Sequence, residues 1–79
     1  MLISLISLAG IQFEGEATSL NIKTTSGEIT VLNNHLPLIT ILAPGPAKII
    51  LPNGEKKTVD TKGGFLEVNK KNQVTALVD

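Results

Sequence analysis

Residues 47–60 read AKIILPNGEKKTVD and contain the clearest signal for the fold of this chain. The segments 47–51 and 56–60 flank a polar tetrapeptide with Asn53-Gly54 at its centre. An Asn-Gly pair in such a position is the strongest short-range signal for a β-hairpin, because both residues tolerate a positive φ. This stretch therefore predicts two strands joined by a tight turn.

Short extended segments separated by turn residues continue on both sides of this hairpin. Ile, Val and Thr are abundant in the segments, whereas Gly, Pro and Asn cluster between them. Ser4 and Ser7 are spaced as in a helix, but the shortness of the first segment favours a strand. We expect about eight to ten strands, arranged as an all-β sandwich or barrel. The further predicted strands are residues 2–8, 11–14, 20–23, 29–32, 36–42, 65–68 and 73–78, with a turn or bulge at Gly15 and turns at residues 24–27, 33–35, 43–46 and 69–72.

Length and composition narrow the classes of function. A chain of 79 residues is one small domain, and such a domain buries only about 60–65% of the surface that its unfolded chain exposes. It has no cysteine, so neither a disulfide nor a cysteine zinc site can stabilise it, and a partner is the expected stabiliser. The net charge is zero, every basic residue is a lysine, and Trp and Tyr are absent, which argues against a nucleic-acid partner.

The apolar start of the chain, residues 1–8, is a candidate signal sequence or membrane segment. No basic residue precedes Lys23, so the positive region of a signal sequence is missing. The run is also much shorter than the roughly 20 residues that cross a bilayer. We therefore expect a buried strand in a cytoplasmic protein without a membrane anchor of its own.

Residues 36–42 differ from an ordinary half-buried strand. Apolar side chains occupy both alternating sets of positions, Leu38 and Leu42 in one and Ile39 and Ile41 in the other. Such a strand is typical either of a core or of a surface that a partner covers.

Three segments in a fixed order extend the interpretation from fold to family. They are FEGEA at 13–17, GEITVLNNHLPLIT at 27–40, and GGFLEV at 63–68 followed by VTALVD at 74–79. In this order the segments resemble the N-terminal domain of the epsilon subunit of bacterial-type rotary ATP synthase, which is called delta in mitochondria. The resemblance covers essentially the whole chain.

The resemblance implies a small, flattened β-sandwich of about ten strands at the foot of the central stalk. Such a domain binds the gamma subunit, rests on the ring of c subunits and turns with the rotor, so that ion flow is coupled to ATP synthesis. It would not be an enzyme and would have no cofactor or metal of its own. It would be a peripheral protein at the cytoplasmic face of the membrane.

The same resemblance suggests which residues meet these partners. Gly27, Glu28 and His35 would form a turn that faces the c ring, where the Glu28 carboxylate could pair with a basic residue of a ring loop. His35, Leu38 and Thr40 would face gamma.

The sequence also departs from the family pattern. Thr30 stands where the family usually has Gly, Asn33-Asn34 stands where it has Pro-Gly, and Leu36 often corresponds to Ala. Asn also tolerates a left-handed backbone, so we expect the turn to be kept. The sequence stops at Asp79, where the helical hairpin of full-length members would begin. Without that hairpin we expect no inhibition of ATP hydrolysis.

Two other interpretations stay open on the residues alone. A free-standing sandwich that binds a peptide or another protein would present a long exposed strand edge. An enzyme would need His35, the only histidine, in a cleft beside a serine and a carboxylate.

Glu14 and Glu16 are expected in a solvated turn rather than across a substrate. Gly63-Gly64 lacks the Lys of a phosphate-binding loop, so we expect a bulge or a close backbone approach there.

Overall fold

The computed structural model describes residues 1–79, which form nine β-strands and no helix. This confirms the predicted all-β fold, and the ambiguous first segment is a strand. The strands are β1 (Leu2–Ser7), β2 (Gly10–Glu16), β3 (Ser19–Thr24), β4 (Gly27–Leu32), β5 (Leu38–Leu42), β6 (Gly45–Ile50), β7 (Lys56–Thr61), β8 (Gly64–Val68) and β9 (Gln73–Val78).

The nine strands belong to one hydrogen-bonded sheet that folds into two layers. The first layer contains, in order, β2, β1, β9, β8 and β5, and the second contains β4, β3, β6 and β7. The layers join where Thr24 of β3 pairs with Leu42 of β5. Neighbouring strands are antiparallel except for β1 and β9, which run parallel and pair Ile3 with Val74. The result is the predicted small β-sandwich.

The hairpin predicted from Asn53-Gly54 connects β6 to β7. Gly54 has a φ of 90°, and its N–H donates to the Leu51 carbonyl at 2.9 Å. Asn53 Oδ1 accepts a hydrogen bond from the Glu55 N–H at 2.9 Å, so a side chain completes the turn. The two residue types that predicted the hairpin are therefore the ones that close it.

A second predicted turn joins β3 to β4. Gly27 has a φ of 125°, a backbone conformation that suits glycine. The Thr24 hydroxyl donates to the Gly27 carbonyl at 2.7 Å and accepts from the Ser26 N–H at 3.1 Å. Thr24 is buried, so these two hydrogen bonds satisfy a hydroxyl that water does not reach.

Gly63 and Gly64 allow a close backbone approach at the start of β8. A Cβ built on Gly64 would overlap the carbonyl oxygen of Leu77 on β9. A Cβ on Gly63 would lie 3.2 Å from the Leu42 carbonyl oxygen. The predicted close approach is therefore confirmed.

Two local predictions are wrong. Neither the turn nor the bulge expected at Gly15 occurs, because β2 continues through it to Glu16 and Gly15 pairs with Ile3 in regular register. Glu14 and Glu16 therefore occupy alternate positions on one outward face of a strand. β5 begins at Leu38 rather than at residue 36, because Pro37 has no N–H to contribute to the ladder.

The core lies between the two layers and is aliphatic. Fifteen buried hydrophobic residues form one cluster, to which both layers contribute. No buried side-chain nitrogen or oxygen lacks a hydrogen-bond partner, so functional groups are to be sought at the surface. The largest fully buried side chains are Ile3, Leu5, Leu20, Ile22, Val31, Ile49, Leu66 and Val74.

Candidate functional site

The outer face of the first layer carries apolar side chains across all five of its strands. Paired residues of neighbouring strands point to the same side of a sheet. The pairing aligns, in order, Ile41, Phe65, Leu77, Ile6 and Ile11. All of them except the half-buried Ile6 are more than half exposed. We call these five residues the apolar row.

The apolar row continues into further exposed apolar groups. Leu8, in the β1–β2 turn, is fully exposed, and Ile39 precedes Ile41 on the same face of β5 with 74% of its surface exposed. An open groove follows the row, with Lys62 and Asp79 at its rim. Soluble monomers rarely leave a large contiguous apolar patch uncovered, so this face is the candidate interaction surface.

The outer face of the second layer has the opposite character. Cross-strand pairing aligns Thr30, Asn21, Lys48 and Thr58 across β4, β3, β6 and β7. Asn21 Nδ2 donates to Thr30 Oγ1 at 3.0 Å, which links two neighbouring strands through their side chains. This alternation of buried apolar and exposed polar residues is typical of a sheet face in contact with water.

Gly27, Glu28 and His35 do not form one turn, which corrects the arrangement that the resemblance suggested. Gly27 and Glu28 begin β4, whereas His35 follows the end of that strand. About 13 Å of extended backbone separates Glu28 from Leu32. Glu28 is exposed and forms no ion pair. The contact of either group with a c ring stays a prediction, but the two lie at opposite ends of the sandwich.

His35 lies in the β4–β5 loop (residues 33–37) and is held by the backbone. Its N–H donates to the Leu32 carbonyl at 3.2 Å, and its Nδ1 donates to the Leu36 carbonyl at 2.8 Å. Asn34 has a φ of 60°, so the left-handed turn expected of asparagine is kept. No serine or carboxylate hydrogen-bonds to the ring, and no cluster of three or more potential metal ligands occurs in the chain.

Leu38 and Thr40 belong to the inward-facing set of β5. Leu38 is half-buried and packs against the core, and Thr40 is also half-buried. Ile39 and Ile41 are the outward members of the same strand. The assignment of Leu38 and Thr40 to gamma stays a prediction, whereas Ile39 and Ile41 are the side chains that this strand exposes.

Sequence reasoning missed four members of the apolar row, namely Ile6, Ile11, Phe65 and Leu77. Phe65 and Leu77 adjoin the buried residues Leu66 and Ala76, so β8 and β9 carry apolar side chains on both faces, as residues 36–42 do. That two-sided apolar pattern could have identified β8 and β9, each by itself, as strands with an apolar outer face. Only the pairing of strands that are distant in sequence brings the side chains into one row.

The comparison with protein families agrees with this fold over its full length. Residues 1–79 match the family model described as ATP synthase, Delta/Epsilon chain, beta-sandwich domain. The chain belongs to this family. The delta/epsilon resemblance seen in the sequence segments is thereby confirmed, and the two-layered sandwich corresponds to the domain that the family model describes.

Individual delta/epsilon relatives are clearly similar in sequence. An ATP synthase epsilon chain of Psychrobacter cryohalolentis is 45% identical over 67 residues. One of Acinetobacter baumannii is 42% identical over 67 residues. Each alignment covers 85% of this chain and 48% of the relative. The chain therefore spans about half the length of these epsilon chains.

Solved structures share the delta/epsilon sandwich. A chain of the Euglena gracilis mitochondrial ATP synthase, in an assembly of OSCP, F1 and c-ring in rotational state 1, has a TM-score of 0.92 and 26% identity. That match covers 99% of this chain and 49% of the Euglena chain. A chain from the central stalk and c-ring of the Tetrahymena thermophila mitochondrial ATP synthase has a TM-score of 0.82 and 20% identity, covering 99% and 62%, and shows the same fold. The delta/epsilon domain contains no helix that is long and apolar enough to cross a membrane.

Proposed function

We propose that this delta/epsilon-family domain is a non-catalytic rotor subunit in the central stalk of a rotary ATP synthase. It links the gamma subunit to the ring of c subunits and helps to couple ion flow to ATP synthesis. The epsilon chains of Psychrobacter and Acinetobacter support this proposal. The Euglena relative supports it as well, because its assembly contains F1 and a c-ring.

The apolar row is the observation that carries the proposal, and we assign gamma to it. A nearly continuous line of Ile, Phe and Leu across a sheet suits a rigid partner that excludes water from a broad face. These side chains are already about half buried, so covering each one contributes about half of the roughly 1.5–3 kcal/mol that burial of a fully exposed side chain is worth. A partner that binds only the folded state also raises the stability of a small domain without disulfides.

The domain acts mechanically rather than chemically. Its two layers share one aliphatic core within 27 × 23 × 20 Å, so a force applied at one surface is passed through a close-packed interior to another. This arrangement needs no nucleophile, metal or cofactor. The domain is a peripheral component at the cytoplasmic face of the membrane, which it reaches through the c ring.

Contact with the c ring is assigned to the β3–β4 end, where Glu28 is exposed. A carboxylate without an ion pair is available to a basic group on a ring loop. Charges at the rim of an interface act mainly on association rate and specificity. Glu28 therefore guides docking on the ring, whereas the apolar row supplies most of the affinity for gamma.

Mixing the purified chain with the gamma subunit of the same organism tests the proposal. Gel filtration and calorimetry should show a one-to-one complex, and the chain should melt at a higher temperature within it. The variant Ile39→Lys, whose new ammonium would face Glu67 across β5 and β8, should fold and bind gamma about tenfold more weakly. Thr30→Lys is the matched control on the outer face of the second layer and should bind within about twofold of wild type.

Absence of a complex between the wild-type chain and gamma, with or without the c ring, would contradict the proposal. Equal weakening by Ile39→Lys and Thr30→Lys would contradict the assignment of gamma to the apolar row.

A further inference from the structure

The β4–β5 loop adjoins the candidate gamma face but lacks support from the sheet. It carries Leu36, which is 79% exposed, and it leads directly into Ile39 and the apolar row through β5. β4 pairs with β3, and β5 pairs with β8 and briefly with β3, so no ladder joins the two strands that flank the loop. The loop makes one backbone hydrogen bond, from the His35 N–H to the Leu32 carbonyl.

Asn72, in the β8–β9 turn of the first layer, supplies the missing support. Its Oδ1 accepts a hydrogen bond from the Asn34 N–H at 2.7 Å, and its Nδ2 donates to Asn33 Oδ1 at 3.3 Å. Its own backbone carbonyl accepts from the Leu2 N–H at 3.2 Å. One residue of the β8–β9 turn therefore holds both the β4–β5 loop and the start of β1. Asn33 Oδ1 also accepts from the Met1 ammonium, which adds a second donor on the same atom.

The β8–β9 turn does not by itself require asparagine at position 72. Asn72 has a φ of 59°, a conformation that glycine adopts without strain. Glycine would therefore complete the β8–β9 turn equally well, but it could not reach Asn34 across the sandwich. The side-chain amide thus acts on the loop rather than on its own turn.

We propose that Asn72 is a positioning residue, which fixes the orientation in which the β4–β5 loop presents His35 and Leu36 to gamma. This inference rests on the proposed function, because gamma is the partner that the loop meets. A loop held in its bound orientation loses less conformational freedom when it binds, so its contacts yield more affinity. The amide of Asn72 thus affects binding without touching the partner.

The variant Asn72→Gly isolates this role, since it keeps the left-handed turn and removes the amide. The matched control is Asn69→Gly in the same turn. Asn69 Oδ1 accepts from the N–H groups of Lys71 and Gln73, at 2.8 and 3.1 Å, and makes no hydrogen bond to the loop. Asn72→Asp separates the two hydrogen bonds, because a carboxylate oxygen can still accept from the Asn34 N–H but cannot donate to Asn33 Oδ1.

Amide hydrogen exchange of the free chain is the first measurement. In Asn72→Gly the Asn34 amide should exchange about fivefold faster, the factor that one neutral hydrogen bond is worth. Asn69→Gly and Asn72→Asp should leave the Asn34 rate near that of wild type. The amide of Leu66, in the core strand β8, should keep its rate in all three variants, because the sandwich itself is intact.

Calorimetry with the purified gamma subunit is the second measurement. Asn72→Gly should bind about fivefold more weakly, whereas Asn69→Gly and Asn72→Asp should bind within about twofold of wild type. In a Leu36→Ala background the effect of Asn72→Gly on affinity should shrink, because the loop then lacks most of the Leu36 side chain that its orientation would bring to gamma.

The outcomes separate this inference from the proposed function. If wild type binds gamma but Asn72→Gly and Asn69→Gly have the same affinity, Asn72 serves only its turn and the inference is wrong. If wild type does not bind gamma, the proposed function fails and the partner role of Asn72 fails with it. The exchange rate of Asn34 then still decides whether the amide holds the loop.

Discussion

The outer faces of the two layers cover the same core, but only the first carries a row of apolar side chains across all of its strands. Phe65 and Leu77 on the first layer expose apolar groups, whereas Asn21 and Lys48 on the second expose polar ones. Both layers bury an equally aliphatic inner face, so the isolated fold does not require an apolar outer face on either. The difference is the one expected if a partner covers the first layer, as proposed.

The second layer shows that the same fold can carry a polar row across its outer face. Its Thr and Asn side chains hydrogen-bond to one another or to solvent, as Asn21 does with Thr30. On the first layer the corresponding row has no polar atoms to offer. Experiments that disturb the apolar row should therefore change binding, and the same changes on the second layer should not.

Gly64→Ala should have the largest effect, because it breaks the layer on which the row lies. The new methyl group would overlap the Leu77 carbonyl oxygen, so β8 and β9 must separate and the contact between Phe65 and Leu77 must open. We expect a loss of about 3 kcal/mol in the free energy of unfolding, measured by urea denaturation. Gly10→Ala is the matched control, since Gly10 also has a positive φ but nothing lies within 4 Å of an added Cβ.

The control should cost about 1 kcal/mol, from backbone strain alone. If the two alanine variants have the same stability, the close approach of β8 and β9 is not what requires glycine at position 64.

Phe65→Ser should leave the fold intact and separate the two outer faces in a binding assay. Phe65 lies within the apolar row and is more than half exposed, so its removal creates no cavity in the core. We expect the affinity for gamma to fall by about 2 kcal/mol, or roughly thirtyfold, by calorimetry. Lys48→Ser on the second layer is the control and should change the affinity by less than twofold.

The melting temperature of Phe65→Ser should stay close to that of wild type. A large fall in melting temperature without a change in affinity would place Phe65 in the core rather than at an interface.

Glu28→Gln should have the smallest effect and should act on rate rather than on stability. Glu28 is exposed and forms no ion pair, so the free energy of unfolding should change by less than about 0.5 kcal/mol. Stopped-flow association with a c ring should become slower at low salt, and the difference should disappear as salt is added. An association rate that salt affects equally in wild type and variant would exclude this carboxylate from docking.

Local chemistry made much of the fold predictable from sequence. The Asn53-Gly54 turn and the turn before Gly27 each depend on residues within a few positions of one another. Gly63-Gly64 indicated a close approach, although the neighbour that requires glycine at position 64, Leu77, is distant in sequence. Gly15 misled the prediction because glycine occurs inside strands as well as in turns.

The candidate site was less predictable, because it depends on strand pairing. Phe65, Leu77 and Ile6 are neighbours only because the strands lie in the order β8, β9, β1. The spacing of residues within one segment does not predict that order. In the same way, the resemblance placed Glu28 beside His35, whereas the intervening strand carries them to opposite ends. Asn72 and Asn34 are related by the fold alone.

The parallel pairing of β1 with β9 has a consequence for the order of events during biosynthesis. Ile6 and Leu77 come from the first and last strands described here, and pairings between such distant segments form late in folding. The row that gamma is proposed to recognise is consequently incomplete until β1 and β9 have paired. Assembly through this surface would therefore select folded domains for the rotor. Incompletely folded domains would stay available to chaperones and proteases.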